Sequence, residues 1–305
     1  MKNNKSLITI LAFFSVYLFW GGTYIGMKFA IESFPPFFMA GIRHLSAGII
    51  LLIVALVKGE RKPSFVEIRN GAIVGVIMLM FGNGLVAYAE KVIPSSIASL
   101  VITTTPFWIL LLNWKYGDHT KPKRIELITL FIAFLGILLL VFQGQSIQVE
   151  QLDSMGMIII AIAAFCWSAG SLYSRYKAMP KSSYYNIASQ TLSGGLVLII
   201  FSFSIQEAQT FNPSSITTNS ILAMIYLIVF GSIIGYSAYI WLMKNVSPSL
   251  ASSNAFINPV VALILGYLLA HEVLSLQSLI AALIIILSVT ILTLSRHKKI
   301  NKESI

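Results

Sequence analysis

The sequence predicts an all-α integral membrane protein of ten transmembrane helices, folded as two inverted five-helix repeats around a central cavity. Three observations carry this. Of 305 residues, 57% are apolar and 10% charged, whereas a soluble domain carries roughly 25% charged residues. The lysines and arginines fall into alternate loops. A stretch near the C-terminus, residues 246–272, recurs in degenerate form at residues 92–118, with Ala98 matching Ala251 and Pro106 matching Pro259 at one offset of 153 residues.

A membrane-crossing helix needs about 20 mostly apolar residues. Ten such segments follow one another at roughly 7–31, 35–57, 68–90, 94–114, 124–142, 155–176, 183–204, 219–243, 248–270 and 274–295. The first follows Lys2 and Lys5 as a signal peptide would. Its apolar run continues to Ile31 without a small-residue cleavage site, so it reads as a retained span. Turn signals at Pro35-Pro36, Pro63, Pro122, Pro180 and Asn212-Pro213 separate later segments.

Lys58, Arg61, Lys62 and Arg69 surround the second loop, and Lys115, Lys121, Lys123 and Arg124 the fourth. Arg175, Lys177 and Lys181 follow span 6, Lys244 follows span 8, and Arg296, Lys298, Lys299 and Lys302 close the chain. The intervening loops hold Glu32, Glu150, Asp153 and Glu207, with Lys91 their only cation. Ten spans with both termini cytoplasmic satisfy the positive-inside rule at every loop. This predicts a multi-pass cell-membrane protein, and it explains the net charge of +10 without nucleic acid. Cys166 is the single cysteine, so no intramolecular disulfide can form.

The repeat extends beyond the first pair. Trp20 to Lys28 echoes Trp167 to Arg175, a cation eight residues after a tryptophan, and Ala87-Tyr88 matches Ala238-Tyr239. The halves are 1–147 and 148–305. Five spans per half is an odd number, so the halves sit with opposite polarity. Inverted repeats place a site near the midplane and allow rocking between inward- and outward-open states.

Trp-Gly-x-x-Tyr at Trp20, Arg43 in span 2, Ala-(x)7-Pro in span 4 and the Asn258 to Glu272 run in span 9 resemble the EamA-type transporters of the drug/metabolite transporter superfamily. The resemblance covers nearly the whole chain. It implies ten helices around a cavity lined mainly by spans 1, 3, 4, 6, 8 and 9. It also implies export of amino acids or other metabolites, with relatives that carry sugars, nucleotide-sugars or phosphorylated sugars. One position departs from the family pattern. The glutamate expected after the span-4 proline is His119 here, with Asp118 before it, while Glu272 fits in the second half.

Asn254 and Asn258 lie four apart, hence on one helix face, beside Pro259. Polar side chains and a proline at membrane depth point to a cavity wall or a tight helix contact. Asn83, between Gly82 and Gly84, can pack across a helix contact or bind ligand. Trp20, Tyr24, Trp167, Tyr236 and Tyr239 are deep enough to be walls, suited to stacking on a flat, partly apolar solute. Thr103, Thr104 and Thr105 can satisfy the carbonyls that Pro106 frees. Pro106 and Pro259 are the expected points of helix irregularity.

Arg43 inside span 2 needs a partner, whether a carboxylate or helix-end carbonyls. His44 is either a hydrogen-bonded structural residue or a titrating one. Lys28 is expected to pair with Glu32, and Glu90 with Lys91 at the outer surface. No acid lies mid-span, which favours facilitated diffusion or exchange over proton coupling. Glu90, His44 and Glu272 are the only stand-ins for a proton site. The spans lack a basic cluster suited to phosphates, so a neutral or zwitterionic solute is expected. No metal-ligand spacing, nucleophile elbow or Walker sequence occurs, so neither enzyme nor cofactor is expected. The reading is a secondary transporter of a small metabolite, most readily an amino acid or related amphipathic compound, working as a monomer or homodimer in the bilayer. A broad drug exporter and a channel-like pore are the alternatives.

Overall fold

The computed structural model describes residues 2–93, 95–141, 153–270 and 275–300. Among these, every regular element is helical. Helix α1 spans Lys2–Ile31 and α2 Pro36–Val57. Helix α3 spans Phe65–Ala89 and α4 and α5 are Ser95–Ile102 and Thr105–Tyr116. Helices α6, α7 and α8 are Arg124–Val141, Ser154–Tyr176 and Ser183–Ser204. Helix α9 spans Thr218–Asn245, α10 is the single turn Pro248–Ala251, and α11 and α12 are Asn254–Ala270 and Leu276–Ile300. Nine described segments are long and apolar enough to cross a membrane.

Local chemistry sets these boundaries. Proline opens α2 at Pro36, where a missing N–H costs nothing. Ser64 and Glu67 form a reciprocal capping box at the start of α3. Asp153, Ser182 and Thr217 cap α7, α8 and α9 through their side chains. Gly59, at φ +63°, takes the left-handed turn that releases the chain after α2.

The segment expected as one span over 94–114 is divided. The hydroxyls of Thr103, Thr104 and Thr105 donate to the carbonyls of Leu100, Val101 and Ile102 at 2.6, 2.7 and 2.7 Å. Each such bond competes with the helical ladder, and Pro106 supplies no N–H to rebuild it. The α10–α11 pair breaks likewise at Ser252 and Ser253, whose hydroxyls donate to Ser249 O and Leu250 O. Pro259 lies inside α11. Helices α3 and α9 each contain a nine-residue π-helical stretch, Val76–Gly84 and Leu227–Gly235.

Helix α2 packs along α8, and α6 along α12. Helix α1 lies against α9 and α11, and α7 against α3 and the α4–α5 pair. Small residues permit the closest crossings, because lipid tails give helices no hydrophobic drive to associate and van der Waals contact must supply it. At the α3–α8 crossing a methyl on Gly194 would fall 2.6 Å from the Gly75 carbonyl oxygen.

One end of the bundle carries most of the basic side chains. There Arg175 donates to the carbonyls of Met243 and Val246, closing the end of α9 and doing more than marking topology. Lys58 donates to the Tyr184 hydroxyl at 2.7 Å, which holds its ammonium above the ordinary lysine value. At the other end Glu207 Oε2 accepts from Phe37 N at 3.0 Å, Phe38 N at 3.3 Å and Ser202 Oγ at 2.8 Å. Two expected ion pairs are replaced. Lys91 meets Glu207 at 3.7 Å instead of Glu90, and among the described residues that is the one ion pair within 4 Å, so Lys28 and Glu32 do not meet. Glu207 reaches Lys91 because a 3-10 turn, Glu207–Thr210, carries it back over the start of α2.

Candidate functional site

Midway along the bundle lies a cavity of about 110 Å³ on the measure by which one water needs about 10–15 Å³. It holds several waters or one small solute. Helix α1 lends it Trp20, Thr23, Tyr24 and Met27, one face at intervals of three and four residues. Arg43 and His44 come from α2, Leu79, Gly82, Asn83 and Val86 from α3, and Thr105 from the start of α5. The other half lends Trp167 from α7, Gly231 and Tyr236 from α9, and Asn254 and Asn258 from α11.

Toward the basic end the cavity is floored by aromatic rings. Trp20 and Trp167 meet edge to face at 5.5 Å and 77°, and Tyr239 packs 5.1 Å from Trp20 and 5.5 Å from Trp167. Trp20 Nε1 donates to Gly231 O at 2.9 Å, and Trp167 Nε1 to the Tyr239 hydroxyl at 3.1 Å. Ser171 Oγ and Tyr239 Oη lie 2.8 Å apart. Each indole N–H is thereby satisfied in the bilayer interior, where an orphan donor would be costly. Tyr239 is buried to 1% exposure and lies behind the floor, and Tyr236, one turn earlier, reaches the cavity.

The opposing wall is polar. Arg43 Nε donates to Ser232 Oγ at 2.7 Å. The Ser232 hydroxyl also lies 3.5 Å from His44 Nδ1. Asn83 Oδ1 can only accept, so His44 Nε2 carries the proton donated there at 3.2 Å. His44 thus links Ser232 to Asn83. Gly231 makes room for the guanidinium: a methyl there would lie 2.7 Å from Arg43 Nη2. Two buried polar atoms in this lining have no partner, Arg43 Nη1 and Asn258 Oδ1.

Of the residues singled out from the sequence, Trp20, Tyr24, Arg43, His44, Asn83, Trp167, Asn254 and Asn258 converge on this cavity. Pro106 and Pro259 stand beside its walls, next to Thr105 and Asn258. Glu90 ends α3 with Oε1 buried and unpartnered, outside the lining. Glu272 lies outside the described residues. Asp118 is held in the turn after α5, where Oδ1 accepts from Asn113 Nδ2 at 2.8 Å and Thr120 N at 3.0 Å, while His119 takes a φ of 57°. Thr23, Met27 and Ser232 were not singled out. Thr23 and Met27 share the face of Trp20, which the spacing could have revealed; nothing local marks Ser232.

The family comparison decides the class. Residues 7–142 and 154–294 each match the EamA-like transporter family. The chain belongs to that family. "Uncharacterized inner membrane transporter YedA" of Escherichia coli (strain K12) is 37% identical over 97% of this chain and 94% of its own. "Uncharacterized transporter YoaV" of Bacillus subtilis is 21% identical over 95% and 98%. A solved structure described only as "Crystal structure of protein" superposes with a TM-score of 0.78, at 19% identity over 96% of this chain and 98% of that one, which speaks to fold alone. This EamA-like chain is a multi-pass cell-membrane transporter.

Proposed function

We propose that the chain is a secondary transporter that carries a small metabolite, an amino acid or related amphipathic compound, outward by alternating access between two inverted five-helix repeats. The observation that carries this reading is the central cavity: both halves line it, and aromatic rings floor it toward the basic end. The helix pairings support the inverted repeat. Exchanging halves maps the contacts of α1 with α9 and α11 onto those of α7 with α3 and α4–α5, and leaves the α2–α8 and α6–α12 pairs in place. The π-helical stretches also correspond, each ending at a glycine, Gly84 or Gly235. In this reading the divided α4–α5 segment is the tenth crossing. In this reading the basic end is cytoplasmic with both termini. Pro106 and Pro259 give the helices beside the site the irregularity that rocking needs.

Counterflow in proteoliposomes preloaded with unlabelled compound tests this. Saturable exchange of amino acids, indifferent to an imposed pH gradient, supports a carrier without proton coupling. Gradient-dependent flux would return Glu90, His44 and Glu272 to consideration, and flux without saturation or counterflow would make the protein a pore. Preference for bulky organic cations would favour a drug exporter. Asn258→Ala removes an acceptor that no protein group satisfies. It is expected to lower transport about tenfold while the protein stays folded in membranes by size-exclusion chromatography.

A further inference from the structure

Arg43 is 4% exposed and lies within a membrane-crossing helix, with no carboxylate within 4 Å among the described residues. Its one hydrogen bond, Nε to Ser232 Oγ, is a contact that a neutral amide could make equally well. A guanidinium at that depth is costly unless an anion answers it, and Nη1 is left without a partner. The surrounding groups do not supply the missing charge. The His44 imidazole carries no negative charge, and the Tyr226 hydroxyl donates to Phe19 O at 2.8 Å. Asn83 spends its oxygen on His44 and so leaves its amide hydrogens for the cavity. Across the lumen Asn258 offers the reverse, an acceptor without a donor.

Resting on the transporter reading, we propose that Arg43 and Asn83 form a carboxylate site and that Asn258 Oδ1 accepts from a donor, such as an ammonium, on the same solute. The class of ligand follows from the charge count. One guanidinium balances one carboxylate, so monocarboxylates bearing a hydrogen-bond donor are carried. Net cations meet Arg43 with no anion of their own, and multiply charged phosphates find no second cation in the lining.

The experiment uses full-length protein in proteoliposomes at fixed pH. A panel of labelled amino acids, neutral nucleosides, sugars and tetraphenylphosphonium identifies the best counterflow substrate. That compound is then compared with its methyl ester and its decarboxylated amine. The expected result is a substrate with a free carboxylate whose ester and amine compete at least about tenfold more weakly, the scale of a lost buried charge contact. Arg43→Gln should remove that discrimination, lowering transport of the acid and sparing its ester, and Arg43→Lys should restore part of the preference for the acid. A purely structural arginine would lower both alike. Equal transport of acid and ester, or preference for an uncharged or cationic solute, overturns the carboxylate site and leaves the transporter standing. No saturable counterflow of any compound overturns both. The comparison of acid with ester needs no variant, so misfolding of Arg43→Gln would not leave the question open.

Discussion

Arg43 on α2 and Gln190 on α8 occupy the same place in their helices, seven residues after Pro36 and Ser183 respectively. Their surroundings differ completely. Gln190 has a partner at each polar atom: its Oε1 accepts from the Tyr236 hydroxyl at 2.6 Å, and its Nε2 donates to Asn186 Oδ1 at 2.8 Å. Arg43 has one partner and an unanswered charge beside the cavity. A backbone arrangement can therefore be shared between halves while the chemistry is not. One half carries the charged group and the other a closed neutral network, as expected if a solute must be held firmly from one direction and released toward the other.

The comparison can be broken in three places. Arg43→Gln makes the two positions alike and should have the largest effect, a loss of about tenfold or more in carboxylate transport, read by counterflow. Gln190→Leu attacks the neutral side. It strands the Tyr236 hydroxyl and the Asn186 amide in the interior and should cost about 1–3 kcal/mol of stability, read by thermal unfolding in detergent. Acid-over-ester preference should be unchanged in that variant; if it falls as far as in Arg43→Gln, the asymmetry is wrong. Trp20→Phe is the mildest. It keeps a ring in the floor but deletes the bond to Gly231 O, at about 1 kcal/mol, so substrate affinity should shift by less than tenfold.

The helices were legible because lipid forces the chain to be apolar over whole spans and to place its cations at their ends. Trp20 and Trp167 stood out because they recur as a pair in the repeat, and Asn254 and Asn258 because they lie four apart on one helix face beside Pro259. The phase of α9 was not legible. A π-helical stretch inserts residues that a sequence pattern does not announce, and each turns everything after it by about 100°. Of the two tyrosines there that were read as walls, Tyr236 meets the cavity and Tyr239 lies behind its floor. Partners far along the chain were hidden for a simpler reason. Ser232 comes 189 residues after Arg43, and no local pattern pairs them. Likewise Glu207 drew Lys91 away from Glu90, its neighbour in sequence.

Glu207 gathers the backbone N–H groups that open α2, the Ser202 hydroxyl near the end of α8 and the Lys91 ammonium just past α3. A carboxylate at a helix N-terminus is favoured by the dipole as well as by the hydrogen bonds. One side chain thus buckles three helices from two halves into a single block at the end away from the basic loops.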